Sequence, residues 1–197
     1  MFAAAILALP LVPRQFFPSS DRPALLVDMT LRQNASIAAS QAVAERVELL
    51  LKDDPDVDHF STYVGRGAIR LYLPLAVHLA NPFFSQIVVI AKDIEARDRL
   101  QAKFEKIMAE DFPEVTARLS PLEMGPPVGW PLQYRVVGPD KDELRRIAEK
   151  VAQLMAADTR VRNVNYDWME PARQMRVHID QDEARRLGVS TASIAAV

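Results

Sequence analysis

From residue 24 to residue 122, short aliphatic runs alternate with segments whose apolar positions recur at helical spacing. Ala24 to Leu31 (ALLVDMTL) is aliphatic with partial alternation, which predicts a strand. Ser36 then offers a helix N-cap, and Ile37, Ala44, Val47 and Leu51 share one face of a helix running to about Lys52, where Asp53-Asp54-Pro55 breaks it. Val57 to Val64 reads as a second strand. A longer connection, Gly65 to Pro82, is punctuated by Gly65, Gly67, Pro74 and Pro82. Phe84 to Ala91 (FSQIVVIA) is the clearest strand of the chain. Asp93 caps a helix to about Glu110, with Ile94, Leu100, Phe104, Ile107 and Met108 on one side, and Val115 to Leu122 is a further strand. The order is βαββαβ, the split βαβ unit of the ferredoxin-like fold, which lays two helices on one face of an antiparallel sheet.

Gly125 to Pro131 (GPPVGWP) holds three prolines and two glycines in seven residues and reads as a linker between domains. The pattern then restarts. Leu132 to Val137 predicts a strand, and Asp140 with Glu143 a capping box. A helix to about Ala157 follows, with Leu144, Ile147, Ala148, Val151, Leu154 and Met155 on one stripe. Arg160 to Trp168 and Gln174 to Ile179 predict two more strands. Asp180 with Glu183 caps a short helix that Gly188 ends, and Ser190 opens another helical turn. This second unit reads βαββ and lacks a closing helix and strand, which leaves apolar sheet uncovered at a cost of about 25 cal/mol per Å². Ahead of both units stands MFAAAILALPLV, closed by Pro13 and Arg14. It is shorter than the roughly 20 apolar residues that span a bilayer and lacks the basic flank of a signal peptide. The expectation is the far end of a transmembrane helix, with a buried N-terminal segment as the alternative. The fold class is therefore α+β: two ferredoxin-like units, the second incomplete, behind the end of a membrane helix.

Composition narrows the chemistry. The 197 residues are 49% hydrophobic and 25% charged, a globular balance, and the formal net charge of -2 carries no long run of one sign. A basic face for phosphates is missing, which argues against nucleic-acid binding. With no cysteine, disulfides, thiolate metal sites and cysteine nucleophiles are excluded. His59, His78 and His178 lie far apart, outside metal-ligand spacing, so no metal and no cofactor is expected.

No catalytic set emerges: there is no supported Ser/His/Asp arrangement, Walker loop or dinucleotide fingerprint. Gly65-Arg66-Gly67 follows a strand but leads into extended chain rather than a helix N-terminus, so the dipole argument for anion binding fails. An acylphosphatase-like hydrolase is the enzyme alternative, with Arg66 and Asn81 as its nominees. A freestanding ferredoxin-like ligand-binding module is the other alternative. What stands out instead is aromatic and amphipathic residues gathered in irregular segments. Tyr63, Tyr72, Phe83 and Phe84 lie in or beside the long connection, with Arg66 and Arg70 among them. Met124 and Trp130 sit at the linker, and Tyr166 and Trp168 near Asn165 and Asp167. Aromatics with a few polar groups suit a broad-specificity apolar pocket, although any one of them also serves to close a core under a loop.

QFFPSSDRPALLVDMTL, the Tyr63-Val-Gly-Arg-Gly loop with RLYLPL after it, the GPPVGWP linker and VHIDQDEARRLGVS together resemble the resistance–nodulation–division (RND) superfamily, specifically its hydrophobe/amphiphile efflux permeases. The likeness covers essentially the whole chain and keeps motif order, with Ile179 to Ser190 as its strongest element. It implies that residues 1–20 are the end of a transmembrane helix and a linker, 21–126 the first C-terminal porter subdomain, and 127–197 the opening part of the second. It implies a substrate cleft with Ser120, Leu122 and Met124 on one side and Asn165, Asp167 and Trp168 on the other. The flexible switch loop falls between Val64 and Phe84, with Tyr63, Arg66, Tyr72, Phe83 and Phe84 as candidates. It is longer and less glycine-rich than in the best-known members. Asn165 stands where some members carry an arginine. The resemblance further implies a bacterial inner-membrane, proton-driven multidrug exporter with this region facing the periplasm. Its partners are the rest of the permease chain in a homotrimer, a periplasmic adaptor, an outer-membrane channel and hydrophobic or amphiphilic small molecules. The proton-relay residues lie in membrane helices outside this sequence, so no transport by this chain alone is expected.

Overall fold

A computed structural model describes residues 20–73, 75, 77–123, 125, 129–190 and 192–193. The apolar stretch at 1–12 lies outside the described residues. Among the described residues, no helix is long and apolar enough to cross a membrane.

The first unit forms as its pattern predicts. Its elements are β1 (Ala24–Thr30), α1 (Ile37–Lys52), β2 (Val57–Val64), β3 (Phe84–Ala91), α2 (Ile94–Asp111) and β4 (Thr116–Pro121). The strands lie in the order β2-β3-β1-β4, each pair antiparallel, which is the ferredoxin-like arrangement. Both helices begin at side-chain caps. The Ser36 hydroxyl accepts the Ala39 N–H at 3.2 Å, and the Asp93 carboxylate accepts the Ala96 N–H at 2.7 Å, each answering a donor the helix itself leaves open.

Strand alternation sends Leu25, Val27 and Met29 of β1 and Ile87 and Val89 of β3 to the helix side. There they pack with Val43, Ala44, Val47 and Leu51 of α1 and with Leu100, Phe104 and Met108 of α2. The expected helix faces need two corrections. Ile37 is exposed, and Ser40 and Val43 take the buried positions one turn on. Ile37 lies over Gly65, whose missing Cβ would fall 2.8 Å from its Cδ1. In α2, Ile94 is likewise exposed while Ala96 and Arg97 are buried. The Arg97 guanidinium reaches back to the chain ahead of β1, donating to the carbonyls of Ser20 at 2.8 Å and Arg22 at 3.0 Å.

The opposite sheet face is not bare. The connection after β2 folds over it as a strap, so that Ala68 joins Ala24, Leu26, Val88 and Leu122 in a second apolar cluster, with Tyr63, Leu71, Tyr72, Leu75 and Ile90 packed around them. The strap's ends are tied together. The Gly65 N–H donates to Phe84 O and the Asn81 N–H to Gly65 O, both at 2.8 Å, while the buried Ser40 hydroxyl donates to Pro82 O at 2.6 Å. Gly67 lets the two limbs touch: a Cβ there would sit 2.9 Å from the His78 Cβ, and its N–H donates to His78 O at 3.2 Å.

The second region keeps its helices, α3 (Lys141–Ala156) and α4 (Gln181–Arg186), but the three expected strands at 132–137, 160–168 and 174–179 are absent from its described residues. Asp140 caps α3 by accepting the Asp142 and Glu143 N–H groups at 2.9 and 2.8 Å. The expected capping box is only half made, because the Glu143 carboxylate turns onward to Arg146. Asp180 caps α4 in the same way. Gly188, at φ 69°, closes α4 with its own N–H on Arg185 O and the Val189 N–H on Ala184 O, a Schellman motif. No residue of α3 is buried, and Leu154 on its apolar stripe is 75% exposed. Met175, within the last expected strand, is 92% exposed. A strand holds only when neighbours take its backbone hydrogen bonds and a layer covers its apolar side, and this region meets neither condition.

Candidate functional site

Between the strap and the sheet beneath it lies a buried polar arrangement beside a recess. Asp28 of β1 and Gln86 of β3 stand in largely apolar strands, and the antiparallel register sets them directly opposite each other on the strap side. Gln86 is 5% exposed and Asp28 8%, so both polar groups need partners. The Gln86 Nε2 donates to Asp28 Oδ1 at 2.6 Å, and the Gln86 Oε1 accepts the Ala68 N–H of the strap at 2.7 Å. On the other flank of Asp28 stands Arg118 of β4, also in register, 3.7 Å from the Glu123 carboxylate. His78 on the returning limb stacks on the Phe84 ring, centroids 4.4 Å apart, and brings its Nε2 to 3.7 Å from Asp28 Oδ2. Burial pushes the Tyr72 phenol above its ordinary pKa, with the Glu123 carboxylate adding to the shift.

Between strap and sheet lies a recess of about 60 Å³, floored by Leu26, Asp28 and Gln86, walled by Arg118 and Ser120, and roofed by Tyr72, Leu75 and His78. That is room for one or two waters at roughly 30 Å³ each, far short of the 300–1,000 Å³ that holds a drug-sized ligand. The recess is a narrow, partly open slot.

Several residues expected from the sequence meet here. Ser120 and Tyr72 line the recess, Leu122 is buried in the cluster beside it, Tyr63 packs against that cluster, and Phe84 carries the His78 ring. Phe83 is half-buried at the strap's end, and Arg66 is exposed. Met124 lies outside the described residues. Asn165, Asp167 and Trp168 do not line the recess. Asn165 donates its amide to Asn163 O at 2.7 Å, Asp167 is exposed, and Trp168, 60% exposed, holds the Arg145 guanidinium 5.6 Å over its ring. The hydrolase nominees fare differently from a catalytic pair. The Asn81 Oδ1 accepts the Phe83 N–H at 3.1 Å and shapes the turn into β3, while Arg66 faces solvent. No cluster of metal-ligating side chains forms among the described residues.

Asp28, Gln86, His78 and Arg118 were not singled out by sequence reasoning. The signal was present for the first two, since Asp28 is the one charged residue of β1 and Gln86 the one amide of β3. What the sequence did not disclose is that the register pairs them.

Comparison with known proteins gives a consistent answer. The AcrB/AcrD/AcrF family model matches residues 1–197. The chain is 28% identical over 204 residues to the toluene efflux pump membrane transporter TtgE of Pseudomonas putida, covering 93% of this chain and 18% of that protein. It is 23% identical over 188 residues to the multidrug resistance protein MdtC of Escherichia coli O17:K52:H18, covering 90% of this chain and 17% of that one. In fold it is similar to a heavy metal efflux pump seen in two crystal forms, with TM-scores of 0.63 and 0.60 at 19% identity, covering 99% of this chain and 21% and 22% of the pump. The chain thus spans about a fifth of the length of the proteins it matches. With its motifs, its βαββαβ sheet and the match across its full length in agreement, the chain belongs to the AcrB/AcrD/AcrF family, the RND efflux permeases.

Proposed function

We propose that this chain is part of the porter region of a proton-driven multidrug efflux transporter, facing the periplasm from a bacterial inner membrane, and that it handles substrate rather than catalysing a reaction. The observation that carries this reading is the sheet face opposite the helices. It is covered by the 65–82 strap over a polar floor, and the narrow slot between them is lined by residues that include Tyr72, Leu75, Leu26 and Ser120. Amphiphilic compounds suit such a lining, since apolar walls give affinity and a few polar groups give orientation. In this reading the strap corresponds to the switch loop that the family resemblance implies between Val64 and Phe84.

In this reading, residues 21–126 form one porter subdomain and 127–197 begin the next. Ser120, Leu122 and Met124 face Asn165, Asp167 and Trp168 across a cleft, while Tyr63, Arg66, Tyr72, Phe83 and Phe84 move with the strap. The working transporter contains the rest of the permease chain as a homotrimer, with a periplasmic adaptor and an outer-membrane channel. The proton relay belongs to membrane helices outside this sequence, so the 197-residue chain reconstituted in vesicles is expected to show no substrate-dependent proton flux. In a full-length permease carrying this segment, Trp168→Ala or Met124→Ala is expected to change the range of compounds exported. Unchanged susceptibility across a broad compound panel would refute the cleft assignment.

A further inference from the structure

We propose that the Gln86 side-chain amide, held in one orientation by Asp28, is the lock that keeps the strap closed on the sheet. This inference rests on the fold alone and is independent of the export reading. An amide has an accepting end and a donating end of nearly the same shape, so its direction is set by its neighbours. An ionised Asp28 only accepts, which draws the Gln86 NH₂ to Oδ1 at 2.6 Å and leaves Oε1 facing the Ala68 N–H at 2.7 Å. A flipped amide would set oxygen against carboxylate and N–H against N–H, losing both bonds in a buried site.

The same carboxylate bears on the strap's other limb. Its Oδ2 lies 3.7 Å from His78 Nε2, and His78 is joined to the outgoing limb through the Gly67 N–H on its carbonyl. One aspartate on β1 therefore anchors Ala68 through Gln86 and faces His78 directly. Between the strap's tied ends, Ala68, Leu71 and Leu75 meet the sheet through apolar packing, which is non-directional and tolerates sliding. The two buried hydrogen bonds fix the register of the closed position.

The arrangement makes a reciprocal prediction. Gln86→Glu presses two carboxylates together once both are ionised, so the strap should release as pH rises, whereas at low pH the protonated acid can still donate to Asp28 and accept the Ala68 N–H. Asp28→Asn keeps an acceptor and should loosen it only slightly. The Gln86→Glu/Asp28→Asn double variant exchanges the two groups. The amide now on β1 can donate to the carboxylate now on β3, whose second oxygen can accept the Ala68 N–H, so closure should return. Opening is read in the whole chain by amide hydrogen exchange at Ala68 and by tryptic cleavage after the exposed Arg66 and Arg70, scaled to cleavage after Arg162 in the second region. For Gln86→Glu with both carboxyls ionised, the expected acceleration at the strap is about tenfold or more, because proteolysis follows the population of the open form. The double variant should fall back to within about threefold of the original chain, the context scatter of such interactions. Protection at Val88 of β3 should persist throughout. Strap opening in Gln86→Glu that stays at the original level as pH is raised until both carboxyls ionise, or a double variant as open as the ionised Gln86→Glu with β3 intact, overturns the proposal. Should Gln86→Glu lose the sheet altogether, Gln86→Met removes both bonds without adding charge. Faster strap cleavage with β3 protected then supports the lock, and cleavage at the original rate overturns it.

Discussion

The two halves of the chain carry helices that are locally alike and end in opposite circumstances. α1 and α2 start at Ser36 and Asp93, α3 at Asp140, and each cap is satisfied by backbone N–H groups of its own first turn. Each helix carries an apolar stripe. Yet Val47, Leu51, Leu100 and Phe104 are fully buried against a sheet, whereas α3 buries none of its residues. Helix formation needs only contacts three and four residues away, so it survives where no sheet forms beside it. Sheet formation needs partners far along the chain. β1 sits between β3 and β4, which lie tens of residues downstream, and the strands expected at 132–137, 160–168 and 174–179 find no such neighbours.

The sharpest way to break this comparison is to remove one large side chain from each region. Phe104→Ala is expected to cost about 3–5 kcal/mol, measured as a lower urea midpoint, because it empties the centre of the helix–sheet core. Leu154→Ala on α3 should change that midpoint by no more than about 0.5 kcal/mol, as for an ordinary surface change. Equal losses would mean that α3 is buried after all.

Glycine substitutions test the strap on the same principle. Gly67→Ala forces a Cβ to 2.9 Å from that of His78 and should destabilise by about 1–3 kcal/mol, the usual range for overpacking. Gly138→Ala meets nothing within 4 Å and should be neutral or slightly stabilising in the same denaturation assay. The caps come next. Asp93→Ala should lower the sheet unit's stability by about 1 kcal/mol. Asp140→Ala should reduce helical circular dichroism without shifting the sheet's transition.

The smallest expected effect is electrostatic. Arg99 binds Asp56 through two N–H donors at 3.0 and 2.6 Å and holds its carboxyl below the ordinary 3.8, and the backbone with Arg46 does the same for Glu114 below 4.5. A depressed carboxylate stabilises the fold above its unfolded-state pKa and loses that contribution as pH falls through the folded value. The sheet unit should therefore weaken modestly as pH drops below those ordinary values, less so in high salt, which screens exposed pairs. Glu143 and Asp158 are lowered by Arg146 and Arg160 with the same sign. Those partners are three and two residues away, so acid should cost local order there and leave the sheet transition unmoved. An acid transition that survives Arg99→Gln and Arg46→Gln unchanged would remove the electrostatic explanation.

By itself, the sequence determined the elements of the first unit, their order, the caps at Ser36, Asp93, Asp140 and Asp180, and the glycine stop at Gly188. All of these are set within a few residues by hydrogen-bonding capacity and apolar period. It also placed Ser120, Leu122, Tyr63, Tyr72 and Phe84 near one another in kind, though not in space. Only the tertiary structure decided that the 65–82 connection lies across the sheet, that Asp28 and Gln86 fall opposite each other, and that the alternating segments after residue 131 do not become strands. Those outcomes depend on which distant backbone supplies the partner for each N–H and C=O and on which surface covers each apolar face. Neither is written in local periodicity, because loop closure and strand register couple residues that the pattern treats as unrelated.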